Sequence, residues 1–192
     1  DAARNPAGDI VGDIVGDIVG DIVGDIVGGA EPVALLGHLG KVNSVAFAPQ
    51  GDQLATAGAD GTIRLWNTAA DESPAILPGH AGEAKFVAYA GALLYSAGAD
   101  GDIKQWDAAT GLELGSYQIG AGDLRAAALS ADGQYMASVH GDSSVRVWPL
   151  ADPTEVHRFF GHEDAALAVA FSPDGEQIIT GGEDYSVRLW NL

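Results

Sequence analysis

Along most of the chain, apolar and polar residues alternate in short runs, and the signals are those of strands. VNSVAFAP at 42–49 and LAVAFSP at 167–173 set small or polar residues between larger apolar ones, as a strand lying in a sheet requires. Turn residues separate such runs. Gly51, Gly133 and Gly175 stand in PQGDQ, ADGQ and PDGEQ and predict hairpins joining a first strand to a second. ADG at 59–61 and at 99–101 predicts the hairpin from second to third. Further strands are predicted in SPAILPGH and TEVHRFFGH. Each unit of about 40 residues therefore reads as one four-stranded antiparallel sheet, too small to bury both faces alone, so neighbouring units must stack.

The unit recurs four times. Trp66, Trp106, Trp148 and Trp190 are all the tryptophans of the chain, and each follows an aspartate by six residues: Asp60, Asp100, Asp142 and Asp184. The surrounding segments read LATAGADGTIRLW, LYSAGADGDIKQW, MASVHGDSSVRVW and IITGGEDYSVRLW. Gly37-His38, Gly79-His80 and Gly161-His162 open a unit, while Trp66-Asn67, Trp106-Asp107 and Trp190-Asn191 close one.

In these features the chain resembles the WD40-repeat family of β-propellers over residues 31–192. The resemblance implies an all-β fold of four four-stranded blades per chain. It also implies a hydrogen-bonded set inside each blade: a histidine, a strand hydroxyl, the turn aspartate and the tryptophan. Those sets would be His38, Thr56, Asp60 and Trp66; His80, Ser96, Asp100 and Trp106; and His162, Thr180, Asp184 and Trp190. The third repeat departs from the pattern, because Gly120 stands at the histidine position and Pro149 follows Trp148. Ser138, Asp142 and Trp148 remain, and this blade is expected to be less rigid. His140 replaces the glycine found at 58, 98 and 182 and is read as structural. His157 is expected on an outer strand, facing solvent.

Strand order bears on assembly. RLWNL at 188–192 follows the third strand of the last unit, whereas AEPVALLGH at 30–38 resembles the fourth strands that precede the other Gly-His pairs. The N-terminal strand is thus expected to complete the last blade, either in the same chain or in a partner chain. The leading arrangement is a two-chain, eight-bladed ring with two-fold symmetry. A closed four-bladed ring and a fragment of a longer propeller are the alternatives. The start at Asp1, without Met, is read as a fragment or a processed product.

Residues 1–29 form a separate low-complexity arm ahead of the propeller unit at 30–192. Residues 8–27 are five copies of Gly-Asp-Ile-Val. As a helix this run would carry interior glycines and many β-branched residues, both unfavourable. As a strand it would span roughly 66 Å at about 3.3 Å per residue, enough to reach a neighbour and add a strand to it. Assembly is therefore assigned to Asp9, Ile10, Val11, Asp13, Ile14, Val15, Asp17, Ile18, Val19, Asp21, Ile22, Val23, Asp25, Ile26 and Val27. A disordered tether is the rival reading. The aspartate spacing matches no calcium loop, so calcium is not expected there.

Composition narrows the functions. The formal net charge is −18, from 27 acidic and 9 basic residues, which disfavours nucleic acid and anionic lipid as partners. There is no cysteine, hence no disulfide or thiolate chemistry. No window of 18 apolar residues suggests a membrane span. A soluble protein is expected, its compartment open, with export favoured over the cytoplasm. No nucleophile–histidine pairing, phosphate loop or metalloprotease motif is present. The sequence therefore carries no expectation of catalysis, a metal or a cofactor. The expected function is protein binding, with another copy as the foremost partner and a separate protein or a sensor role in a larger protein as rivals. A partner-binding face is expected from loop position at Lys41, Asn43, Glu83, Lys85, Asp123, Arg125 and Asp164.

Overall fold

A computed structural model describes residues 33–68, 73–119 and 123–192. Among these residues there is no helix, only fifteen strands in four antiparallel sheets. The first blade runs β1 (Val42–Phe47), β2 (Gln53–Gly58), β3 (Thr62–Asn67) and β4 (Ala75–Pro78). The second runs β5 (Ala84–Ala90), β6 (Leu93–Gly98), β7 (Asp102–Asp107) and β8 (Glu113–Gln118). The third runs β9 (Leu124–Leu129), β10 (Tyr135–His140), β11 (Val145–Pro149) and β12 (His157–Phe159). The fourth has three strands: β13 (Ala166–Phe171), β14 (Gln177–Gly182) and β15 (Val187–Asn191). Each sheet is a simple meander, its strands adjacent in chain order.

The predicted hairpins fall into place. Gly51, Gly133 and Gly175 adopt φ of 78°, 68° and 75°, a left-handed backbone that glycine enters without a steric penalty. At the tip between second and third strands, Ser143 and Tyr185 hold φ of 66° and 61° where the first two blades have Gly61 and Gly101. The register also slips once near the start of each first strand, at Asn43, Lys85, Arg125 and Leu167. These bulges re-aim one side chain per blade.

Blades stack in order, β1 beside β5, β5 beside β9 and β9 beside β13. Three apolar seams hold them. Ala55, Ala57, Ile63, Leu65 and Leu77 of the first blade meet Val87, Leu94 and Trp106 of the second. Tyr95, Ala97, Ile103 and Ile119 meet Leu124, Met136 and Trp148 in the next. Ala137, Val139, Val145 and Val147 meet Ala166, Ile178 and Trp190 in the last. Each blade thus has a forward face, which covers the following blade, and a rear face, which carries the tryptophan. Burial of these side chains is worth about 1.5–3 kcal/mol apiece for the larger ones, so the seams are the stabilising core of the fold.

The described residues bear on how the chain's ends are placed. Residues 33–38 form no strand, and the fourth sheet pairs β13, β14 and β15 only. The forward face of the fourth blade is open: Ile179, Val187 and Leu189 are 45%, 72% and 63% exposed, where Ala55, Ile63 and Leu65 are 0–5%. Among the described residues, the N-terminal segment does not complete the last blade, and no closure of the four blades into a ring is seen. A strand completes a blade only when the edge it pairs with lies alongside it, and among these residues that contact is not made.

Candidate functional site

Three blades carry the set that the sequence indicates. In the first, the Trp66 indole donates to Thr56 Oγ1 at 2.9 Å, and Thr56 Oγ1 lies 2.7 Å from His38 Nε2. His38 Nδ1 sits 3.0 Å from the Asp60 carboxylate, which also accepts from the Leu39 and Thr62 amides. An ionised aspartate only accepts, so Nδ1 must donate to it, and Nε2 of the neutral ring accepts the threonine proton. The second blade repeats this with His80, Ser96, Asp100 and Trp106, at 3.0, 2.8 and 3.0 Å. The fourth repeats it with His162, Thr180, Asp184 and Trp190, at 3.0, 2.8 and 2.9 Å.

Charge follows from this wiring. Burial holds His38 and His80 below the ordinary histidine pKa, outweighing the carboxylate beside each. Burial alone would raise Asp60, but donors from Leu39, Thr62 and His38 win and bring it to about 2. Asp100 and Asp184 are lowered in the same way. Neutral histidines locked between a hydroxyl and an aspartate are poor general bases, since both ring nitrogens are already engaged.

The third blade is wired differently. His140 is fully buried, and its Nε2 lies 2.8 Å from Ser138 Oγ. In the other blades a Cβ at this strand position (Gly58, Gly98 or Gly182) would fall 2.2–2.6 Å from Nδ1 of the loop histidine. Loop histidine and strand side chain thus compete for one space, and here the strand supplies the ring. Gly120 itself lies outside the described residues. Arg146, 2% exposed, donates to the Ile119 carbonyl at 2.8 Å and to Asp142 at 3.1 Å. The Trp148 indole, unlike its counterparts, has no acceptor among the described residues. From sequence, His140 is read as structural without being assigned to the position that the loop histidine fills in the other blades. His157 is exposed on β12.

The loop face lies at the inner edge, where the bulged first strands begin. Lys85 pairs with Glu83, and Arg125 pairs with Asp123 at 2.8 Å. The Glu83 carboxyl is lowered by the Lys85 hydrogen bond. Lys41 is exposed beside them. Asn43 is partly committed inward, donating to the Ala84 carbonyl at 2.9 Å across the first seam. Asp164 caps the Ala165 amide at 2.8 Å, and the fourth-blade residue matching Asn43, Lys85 and Arg125 is Leu167, 42% exposed. The rim is thus of mixed charge over the second and third blades, while on the fourth an exposed leucine stands beside the acidic Glu163 and Asp164.

Sequence reasoning did not single out Ile179, Val187 and Leu189. Their signal is positional: Val187 occupies the place of Ile63, Ile103 and Val145, which are buried to 0–1% exposure. The arm residues 9–27 fall outside the described residues.

A family model for the WD domain, G-beta repeat, matches residues 30–67, 72–107, 114–149 and 153–191. The chain belongs to the WD40-repeat family. Proteins of this family are typically non-catalytic modules that bind other proteins. Two curated relatives share single stretches with the chain. Ribosome assembly protein 4 of Chaetomium thermophilum is 55% identical over 40 residues, and WD repeat-containing protein 86 of Homo sapiens is 41% identical over 49. Those stretches are 20% and 26% of this chain but only 8% and 13% of the relatives, so they describe shared WD40 repeats rather than shared whole proteins. No helix among the described residues is long and apolar enough to cross a membrane.

Proposed function

We propose that this WD40 chain is a non-catalytic protein-interaction module whose first partner is a further copy of itself. The open forward face of the fourth blade carries this reading. An apolar sheet face of this kind is costly to leave in water and marks an interaction surface. Completing two four-blade arcs against each other gives an eight-bladed ring, and the arm at residues 1–29 then joins such particles into larger assemblies.

Light scattering on the purified chain tests the proposal. A particle of at least twice the 19.6 kDa chain mass is the expected result. Deleting residues 1–28 should remove species larger than the dimer and leave the dimer. A compact monomer at micromolar concentration would defeat the self-assembly reading.

A second reading, an adaptor for a separate protein, draws on the rim. Lys41, Lys85 and Arg125 are three of only nine basic residues in the chain, gathered on one edge. With Glu83 and Asp123 paired to two of them, the edge presents both signs of charge and would favour a partner segment that carries both. Lys85→Glu with Arg125→Glu should then weaken capture of that partner about tenfold or more while leaving the melting temperature within a few degrees. Unchanged capture would remove the rim from consideration.

A further inference from the structure

Resting on the self-association just proposed, we infer that the forward face of the fourth blade is completed by the N-terminal segment and the adjoining rear edge, at Phe47, of a second copy. The forward face of the fourth blade receives the rear side of the first blade of a second copy, and residues 33–36 of that copy pair along β15.

Three observations carry this. First, the three internal seams always set a forward face against a rear face, never two alike. The unoccupied forward face bears Ile179, Val187 and Leu189, matched in the first blade by Ala55, Ile63 and Leu65. The complementary rear side belongs to the first blade, where Phe47 stands at the position of Tyr89 and Phe171, both of which pack in seams. Phe47 is 49% exposed. Leu54 and Trp66 on the same side are already covered within the single chain, so the contact is confined to Phe47 and the segment before β1 and is narrower than the internal seams.

Second, the connection has the right length. In the complete blades, Leu77, Tyr117 and Phe159 of the outer strand lie opposite Ile63, Ile103 and Val145. From each of these the chain takes seven residues to the start of the next blade, at Ala84, Leu124 or Ala166. Leu35 stands seven residues before Val42, the first residue of β1. Laid along β15 of another copy, Leu35 falls opposite Val187 and Val33 opposite Leu189.

Third, the segment forms no strand yet is anchored at one end. Val33 and Leu36 are 63% and 51% exposed, while His38 is fixed to Asp60 and Thr56 of its own blade. Tyr185, fully exposed at the neighbouring hairpin tip, must be accommodated as Ser143 already is at the third seam, both having positive φ.

Two variants separate the possibilities. Val187→Glu strikes the forward face and Phe47→Glu the rear side. Both positions are exposed in the single chain, so each variant should melt like the parent. Each alone should be monomeric where the parent associates, with affinity reduced about 100-fold or more, because a carboxylate would be desolvated in an apolar seam. Mixing them should restore association, since one copy then offers an intact forward face and the other an intact rear side. If the parent associates and Val187→Glu does not alter its mass, the seam is wrong while self-assembly stands. If Phe47→Glu still dimerises, like faces meet and the inference fails. Two monomeric variants that stay apart when mixed overturn it also. A monomeric parent overturns both readings, and the forward face then belongs to another occupant, such as a following blade in a longer chain.

Discussion

Gly98→His is expected to destabilise this protein by about 3 kcal/mol, and adding His80→Gly is expected to return about half of that loss. A Cβ at position 98 would lie 2.4 Å from His80 Nδ1 and 2.6 Å from Asp100 Oδ1, so the single substitution drives the loop histidine out and strands the groups it satisfied. His80→Gly alone leaves Ser96 and Asp100 without the ring between them, at a similar cost. The double variant copies the third blade, where a strand histidine reaches Ser138. Recovery should be partial, because the residue opposite Ser96 is Lys104, bound to Glu113, whereas the residue opposite Ser138 is the buried Arg146. Lys104→Arg should recover more. Chemical denaturation of the four corners of this cycle reads the coupling. A double variant as unstable as the two losses added would show that the third blade's wiring cannot be transplanted.

The second large effect is acid sensitivity. His38 and His80 have folded-state pKa values below that of an unfolded histidine. The unfolded chain therefore takes up protons first, and stability falls as pH drops through about 6.5. Asp60 and Asp100 are also lowered, Asp60 to about 2, so their contribution is present above the ordinary carboxylate pKa and is lost as pH falls from about 4 toward 2. Both groups act in the same direction, giving two successive losses on acidification and none on moving to mildly alkaline pH. Asp60→Asn should lower stability by about 2 kcal/mol at neutral pH and flatten the lower of the two steps. Melting temperatures measured from about pH 8 to about pH 3 check this. A flat profile between neutrality and about pH 5 would mean that the histidines are not held neutral by the fold.

Much of this architecture is legible in the sequence, because its determinants are local. Aspartate-glycine tips fix hairpins, period-two alternation fixes strands, and a tryptophan six residues after an aspartate fixes how a second strand meets a third. The third blade was harder to see. A departure from the repeat at Gly120 looks like a loss until β10 puts Ser138 and His140, two residues apart, on one side of the sheet. That spacing is itself a readable signal. The N-terminal segment illustrates the opposite case. AEPVALLGH has the composition of an outer strand, yet whether it is one depends on an edge that no local pattern supplies, and residues 33–38 form no strand here.

The links from outer strand to following inner strand give each covalent repeat a phase one strand out of step with the blade it helps to build. Every internal seam is therefore laced as well as packed: peeling the second blade from the first drags on the strand that completes the first. The first and fourth blades are each tied on one side only, and among the described residues the fourth alone also lacks an outer strand to lace it. Under tension or in partial denaturant it should fray first, and amide exchange should be fastest along β15. The other three blades should let go together, as a single mechanical unit.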